Sequence, residues 1–169
     1  VAKPTGEITF LSSGTMRSPD PQSFYSGFEM RNWRHFYEPL IEFSPSGDKI
    51  VPRLAESWST SQDGKTWTFK LRSGVKFSNG DEFTAQDVKF SVDFVLDPAN
   101  RHPNRTRFTD IKDVQVVDKY TVNLVTTEPS GALLSNIFRL YILPGAYYRA
   151  KGAEEFARQG CDPRESSLR

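Results

Sequence analysis

His35, His102 and Cys161 are the only soft metal ligands in the chain, and none has a second such residue at ligand spacing. Structural and catalytic zinc sites gather three or four ligands at short intervals, so an all-protein metal centre is not expected. Cys161 as a nucleophile would need a base placed to take its proton, and its surroundings show no such arrangement. Neither the G-x-x-x-x-G-K-[ST] loop that cradles phosphates nor the G-x-S-x-G elbow of hydrolases occurs. Arg101, His102, Arg105 and Arg107 form one basic cluster able to meet a phosphate. Lacking a Gly-rich turn or interleaved aromatics, it reads better as a solvated loop. Asn104-Arg105-Thr106 satisfies the glycosylation sequon, with nothing else to support it. Trp58 and Trp67 have faces on which a ligand could stack, but they sit in a hairpin and are expected in the core. The residue inventory points to recognition rather than catalysis.

The elements that would position such residues are plainest between 54 and 97. Trp67, Phe69 and Leu71 alternate with Thr66, Thr68 and Lys70, the period-2 pattern of a strand with one face buried. Leu54 to Trp58 can pair with it across a polar reversal containing Asp63-Gly64, which predicts a hairpin. After Arg72-Ser73-Gly74, Asn79-Gly80-Asp81 predicts a second tight turn, since Asn and Gly tolerate the positive φ required. Thr84-Ala85-Gln86-Asp87 then opens a helix: Thr84 is expected to accept from a first-turn amide, and Asp87 complements the dipole. Val88, Val92 and Val95 stripe one face beside Phe90 and Phe94, and Asp97-Pro98 ends the helix.

Elsewhere the signals are coarser. Gly6 to Leu11 reads as a strand, followed by a Ser-, Pro- and Asp-rich loop through Ser23. Trp33, Phe36, Tyr37 and Leu40 fall at helical spacing, with Pro39 marking the end. Asn100 to Arg107 reads as a polar loop. Val114 and Val116, then Val122 and Leu124, predict a second hairpin joined at Asp118-Lys119. Leu133, Leu134 and Ile137 predict a helix, and Tyr141 to Leu143 one more strand. Hairpins alternating with helices make the fold class α/β in the mixed α+β sense.

Composition bounds the function. A chain of 169 residues is long enough for a real core; hydrophobic residues at 37% are few, and aromatics at 13% are generous. A net charge of +1 gives no reason to expect nucleic acid or an anionic membrane as partner. No run of 18 apolar residues occurs, and Val1 to Ser12 lacks the apolar region of a signal peptide. One cysteine excludes an internal disulfide and fits either a periplasm or a cytosol.

Residues 54 to 91, LAESWSTSQDGKTWTFKLRSGVKFSNGDEFTAQDVKFS, resemble the signature region of the bacterial extracellular solute-binding proteins of family 5, the peptide and nickel receptors of ABC importers. The L-A-E-S-W start, the D-G-x-x-[WYF]-T-F-x-L-R centre and the G-V-x-F-x-[DN]-G-x-x-F-T-A-x-D-V close are matched almost position for position. The likeness runs from about Gly6 to Arg158, taking in Ser18-Pro19-Asp20-Pro21, Phe36-Tyr37-Glu38-Pro39-Leu40, Val122 to Pro129 and a short helix at Gly152 to Phe156. Gln159 to Arg169 resembles nothing in the family, which leads us to expect a truncated or frame-shifted product.

The resemblance implies an N-terminal lobe segment of a type II periplasmic-binding-protein-like fold with the extra family 5 subdomain of hairpins and helices. Residues 1–31 would be the first strand and loop of that lobe, 32–148 the subdomain, and 149–169 a short helix and an atypical tail. The first strand, without its neighbours, would present an edge open to self-association. Family members hold a ligand between two lobes, and the cleft-facing loops map onto Gly14, Thr15, Met16 and Arg17, and onto Phe28, Glu29 and Met30. A Glu29 carboxylate in a desolvated cleft can pair with a cationic ligand group or accept amide donors; it reads equally as a solvated glutamate at a helix start. Arg17 can meet an anionic ligand group or simply sit in water.

By the same resemblance the chain would be part of the substrate-binding component of an ABC importer for peptides or related small solutes. It would work with an inner-membrane permease in the periplasm or cell envelope after signal-peptide removal, with no cofactor, no resident metal and no enzymatic activity. Two alternatives stay open: a non-transporting fragment acting as a protein-interaction module, and a cytosolic ligand-sensing domain.

Overall fold

A computed structural model describes residues 21, 30 and 32–152. Its centre is a four-stranded antiparallel sheet made by the two expected hairpins. β3 (Ala55–Thr60) pairs with β4 (Thr66–Leu71), and β5 (Ile111–Asp118) pairs with β6 (Thr121–Thr126). β4 and β6 join the hairpins, giving the order β3-β4-β6-β5. The register sets Phe69 opposite both Trp58 and Val122, so one face gathers Phe69, Leu71, Val122 and Leu124. The opposite face is polar: Thr68 donates to Asn123 Oδ1 at 2.8 Å, and Lys70 to the Thr121 hydroxyl at 3.0 Å.

Two short strands precede the sheet, β1 (Ile41–Phe43) and β2 (Ile50–Pro52), paired antiparallel. Sequence patterning does not reveal them, because three residues are too few to display an alternation. Their connection is a polar turn in which the Ser44 hydroxyl donates to Asp48 at 2.7 Å and Gly47 adopts φ +74°.

The helix α1 (Ala85–Leu96) lays Val88, Val92 and Val95 against the apolar face of the sheet. Its cap differs from expectation. The Thr84 hydroxyl and backbone N–H both donate to Asp87 Oδ2, at 3.0 and 2.9 Å, so the carboxylate is the acceptor on which the N-terminus closes. Two short helices follow the sheet, α2 (Leu133–Ile137) and α3 (Gly145–Lys151).

Three further segments depart from the sequence reading. Met30, Asn32 and Trp33 are helical, but after a turn that ends with Tyr37 N–H donating to the Trp33 carbonyl at 2.8 Å the helix stops. The residue before a proline resists helical torsions, and Pro39 instead forms an isolated bridge with Tyr141. That bridge is the only strand-like pairing of the 141–143 segment among the described residues, because the Leu143 N–H is taken by the Ser91 hydroxyl at 3.0 Å. The stretch 100–107 is more than a solvated loop. His102 and Asn104 are buried there, and Arg105 Nε donates to the Leu96 carbonyl at 2.8 Å. The expected first strand at 6–11, the loop through Ser23 and residues 153–156 of the expected terminal helix lie outside the described residues; Gly152, at φ +78°, caps α3.

Candidate ligand-facing site

Of the residues expected to face a ligand, Gly14, Thr15, Met16, Arg17, Phe28 and Glu29 lie outside the described residues, and Met30 lies within them. Met30 is half-buried against an aromatic cluster separate from the main core, formed by Trp33, Tyr37, Tyr141, Leu143 and Tyr148 with Phe90 and Phe94 at its margin. Three elements supply it. α1 turns Phe90 and Phe94 away from its valine stripe, α3 brings Tyr148 to within 5.5 and 5.1 Å of those two rings, and the extended 141–143 segment brings Tyr141 edge-on to Trp33 at 6.1 Å. Such edge-to-face contacts set the positive ring edge on the negative face and favour one geometry.

Met30 is gripped at both ends. The Tyr141 hydroxyl donates to its carbonyl at 3.1 Å, and the Arg139 guanidinium approaches its sulfur at 3.9 Å. The same carbonyl accepts the Arg34 N–H at 3.3 Å. Met30 is therefore an anchored residue through which the segment before it joins the aromatic cluster. Nothing in the sequence pairs position 30 with 139 or 141, since the contact spans more than a hundred residues without periodicity.

Beside this anchor lies a cleft of about 270 Å³ between the turn after Met30 and the β1–β2 hairpin, lined by Arg34, Tyr37, Glu38, Glu42 and Arg53 among others. The buried Glu42 carboxylate is shared by two guanidiniums: Arg34 reaches Oε1 at 2.7 Å, Arg53 Nε donates to Oε2 at 2.6 Å, and Arg53 Nη2 also contacts Oε2. With both oxygens accepting from permanent cations, Glu42 is braced as an anion and has no proton to exchange with a substrate.

The other titratable residues of interest serve packing. Burial pushes the His102 imidazole down to about 4, and its Nδ1 accepts the Asn104 N–H at 3.1 Å, so the ring is neutral near pH 7. The burial of Asn104 also leaves the glycosylation sequon poorly presented. Trp58 and Trp67 pack at the margin of the main core. Cys161 lies outside the described residues, among which no group of three His, Cys, Asp or Glu side chains could hold a metal.

A mixed sheet-and-helix body with braced charges and an anchored junction is the framework of a binding protein. The chain belongs to the bacterial extracellular solute-binding proteins, family 5, whose middle region it matches over residues 49–159. It is 34% identical over 150 residues to di/tripeptide-binding protein 1 of Pseudomonas aeruginosa, covering 77% of this chain and 28% of that protein. The nickel-binding periplasmic protein of Escherichia coli is 45% identical over 83 residues, 49% of this chain and 16% of that one. Among solved structures, Haemophilus influenzae OppA in complex with the peptide RPPGFSPFR superimposes with a TM-score of 0.77 at 28% identity, over 83% of this chain and 31% of that one. The chain thus spans less than a third of the length of each of these relatives.

Proposed function

We propose that this chain supplies part of one lobe of a periplasmic or cell-envelope receptor that delivers peptides or related small solutes to an ABC importer. Membership of family 5 carries the reading. It is supported by a likeness to a di/tripeptide-binding protein over 77% of the chain. On this reading the ligand lies between two lobes, Phe28, Glu29 and Met30 face it beside Gly14 to Arg17, and the sheet and α1 form the scaffold. A peptide suits such a cleft, since its amino terminus is a cation that Glu29 can pair with and its amides offer donors and acceptors. An inner-membrane permease is the partner, and no step in this role breaks a covalent bond.

The nickel-binding relative favours a second ligand class, a chelated metal. Thermal denaturation of the purified chain with Ala-Ala, Ala-Ala-Ala and nickel with L-histidine separates the two. A ligand that binds only the folded state at a hundredfold excess over its Kd adds about 2.7 kcal/mol of stability. An upward shift with the alanine peptides alone supports the peptide reading, a shift with nickel–histidine alone supports the metal-chelate reading, and three flat responses from a folded chain overturn both for these 169 residues.

A further inference from the structure

The segment assigned to the ligand meets the described fold at Met30, and the residues that hold Met30 come from the far side of the sequence. The geometry points to Tyr141 as a positioning residue: by fixing the Met30 carbonyl, its hydroxyl sets where Phe28, Glu29 and Met30 are presented to a ligand. This rests on the proposed role of those three residues. Glu29 and Phe28 are one and two peptide units before Met30. Because each trans unit is a rigid step of about 3.8 Å, a drift of the Met30 backbone is passed directly to them.

Tyr141 is suited to the task because it has little freedom itself. It is 3% exposed, its ring is flanked by Trp33 at 6.1 Å and Tyr37 at 6.3 Å, and its backbone bridges Pro39. Immediately after it, Ile142 N–H donates to the Glu38 carbonyl at 3.2 Å. An aromatic side chain has only two rotatable bonds, so packing on both ring faces leaves the hydroxyl in one place. Its bond to the Met30 carbonyl, at 3.1 Å across 111 positions, is shorter than the 3.3 Å bond that the carbonyl accepts from Arg34. The hydroxyl is thus a principal restraint on that peptide plane, with Arg139 holding the thioether end.

Tyr141→Phe removes one oxygen and leaves the ring contacts in place, which separates positioning from packing. Tyr120→Phe is the matched control, removing a hydroxyl that bonds Glu82 at the β5–β6 turn. Amide hydrogen exchange over residues 32–37 and over β4 and β6, together with calorimetric titration of Ala-Ala, reads the outcome. In Tyr141→Phe, exchange over 32–37 rises about tenfold while β4 and β6 keep their protection, because one hydrogen bond of ordinary strength is lost locally. Ala-Ala affinity falls by a similar factor, about tenfold, as the binding-competent fraction falls. Unchanged exchange over 32–37, or a rise shared equally by β4 and β6, overturns the positioning role. Equal Ala-Ala affinity in wild type and variant overturns it too and leaves the receptor reading intact. No Ala-Ala binding by wild type, with a local rise in exchange, sinks the peptide reading while the restraint on Met30 stands.

Discussion

The Asp87 carboxylate, in the first turn of α1, accepts the backbone N–H of Gly145 at 3.0 Å and so ties the start of one helix to the start of another 58 positions later. Its second oxygen serves Thr84, and one turn on, the Ser91 hydroxyl donates to the Asp87 carbonyl and accepts from the Leu143 N–H. A single side of α1 therefore holds the 143–145 backbone, which carries Tyr148 into the aromatic cluster through α3. The family signature is at this point a clasp between the scaffold and the junction at Met30.

Asp87→Ala leaves the Gly145 and Thr84 donors without their buried acceptor and is expected to cost about 2–3 kcal/mol, the range for hydrogen bonds to a charged partner. Asp87→Asn keeps an acceptor for Gly145 and loses less. Burial holds the Asp87 carboxyl above its usual value of 3.8, against the pull of Gly145, Thr84 and Arg149. A raised folded value means that the native state binds the proton more tightly. This contribution is complete below 3.8 and is lost as pH rises through the folded value. Urea titrations across that window should show the gap between wild type and Asp87→Asn widening in favour of wild type as the pH falls; a constant gap would count against it.

Gly145 is required by space rather than by torsion. A Cβ added there would sit 2.9 Å from both Cβ and Cγ of Phe90, atoms at the rigid base of that side chain. Gly145→Ala should therefore destabilise by about 1–3 kcal/mol through overpacking, and Phe90→Ala in the same chain should return part of the loss. Additive losses in the thermal melts of the two single variants and the double would show that the clash is not the cause.

His102 predicts an acid-sensitive stability. An imidazole that titrates at 6.5 when unfolded and about 4 when folded leaves the native state neutral while the unfolded chain takes up a proton. Its stabilising contribution is present above 6.5 and is lost as the pH falls toward 4, in the direction opposite to that of Asp87. Between about pH 7 and about pH 5 the loss is about 2 kcal/mol, since each tenfold difference in proton affinity between the two states is worth about 1.4 kcal/mol. His102→Asn, which can still accept from the Asn104 N–H, should flatten that part of the profile measured by urea denaturation.

The two hairpins and α1 were legible in the sequence because each expresses a period: Trp67, Phe69 and Leu71 along β4, Val88, Val92 and Val95 along α1. α3 was not, since it opens on Gly145 and carries Tyr147, Tyr148 and Arg149 in place of an apolar stripe. The wider family was legible from the fixed letters of residues 54–91, which code for local turns and caps. Contacts made across the chain left no such trace. Tyr141 to Met30, Asp87 to Gly145 and Arg53 to Glu42 join residues whose neighbours give no hint of a partner, because the complementarity exists only once the sheet has set the distances. Of the residues that the resemblance assigns to the ligand, Met30 alone falls among the described residues, and there it is an anchor.

Glu42 offers the sharpest test of how that anchor is braced. Its side chain is 11% exposed, whereas those of Arg34 and Arg53 are 45% and 48% exposed, so removing the carboxylate frees two cations that water can partly rehydrate. That relief reduces the cost below the full penalty of a broken buried pair, and Glu42→Ala is expected to lose about 2 kcal/mol. Glu42→Gln retains the shape and one acceptor but turns an amide donor toward a guanidinium, so it should recover less than half of that loss. A double-mutant cycle with Arg53→Ala should give a coupling of about 1 kcal/mol. The coupling should persist in high salt, because screening acts weakly on a carboxylate shielded from solvent. Arg53 also connects onward, its carbonyl accepting from Arg72 Nε just past β4, so the brace runs from the turn after Met30 to the central sheet. If Glu42→Ala unfolds within about 0.5 kcal/mol of wild type, a size typical of surface substitutions, the brace is no more than a surface ion pair and the junction depends on Tyr141 and Arg139 alone.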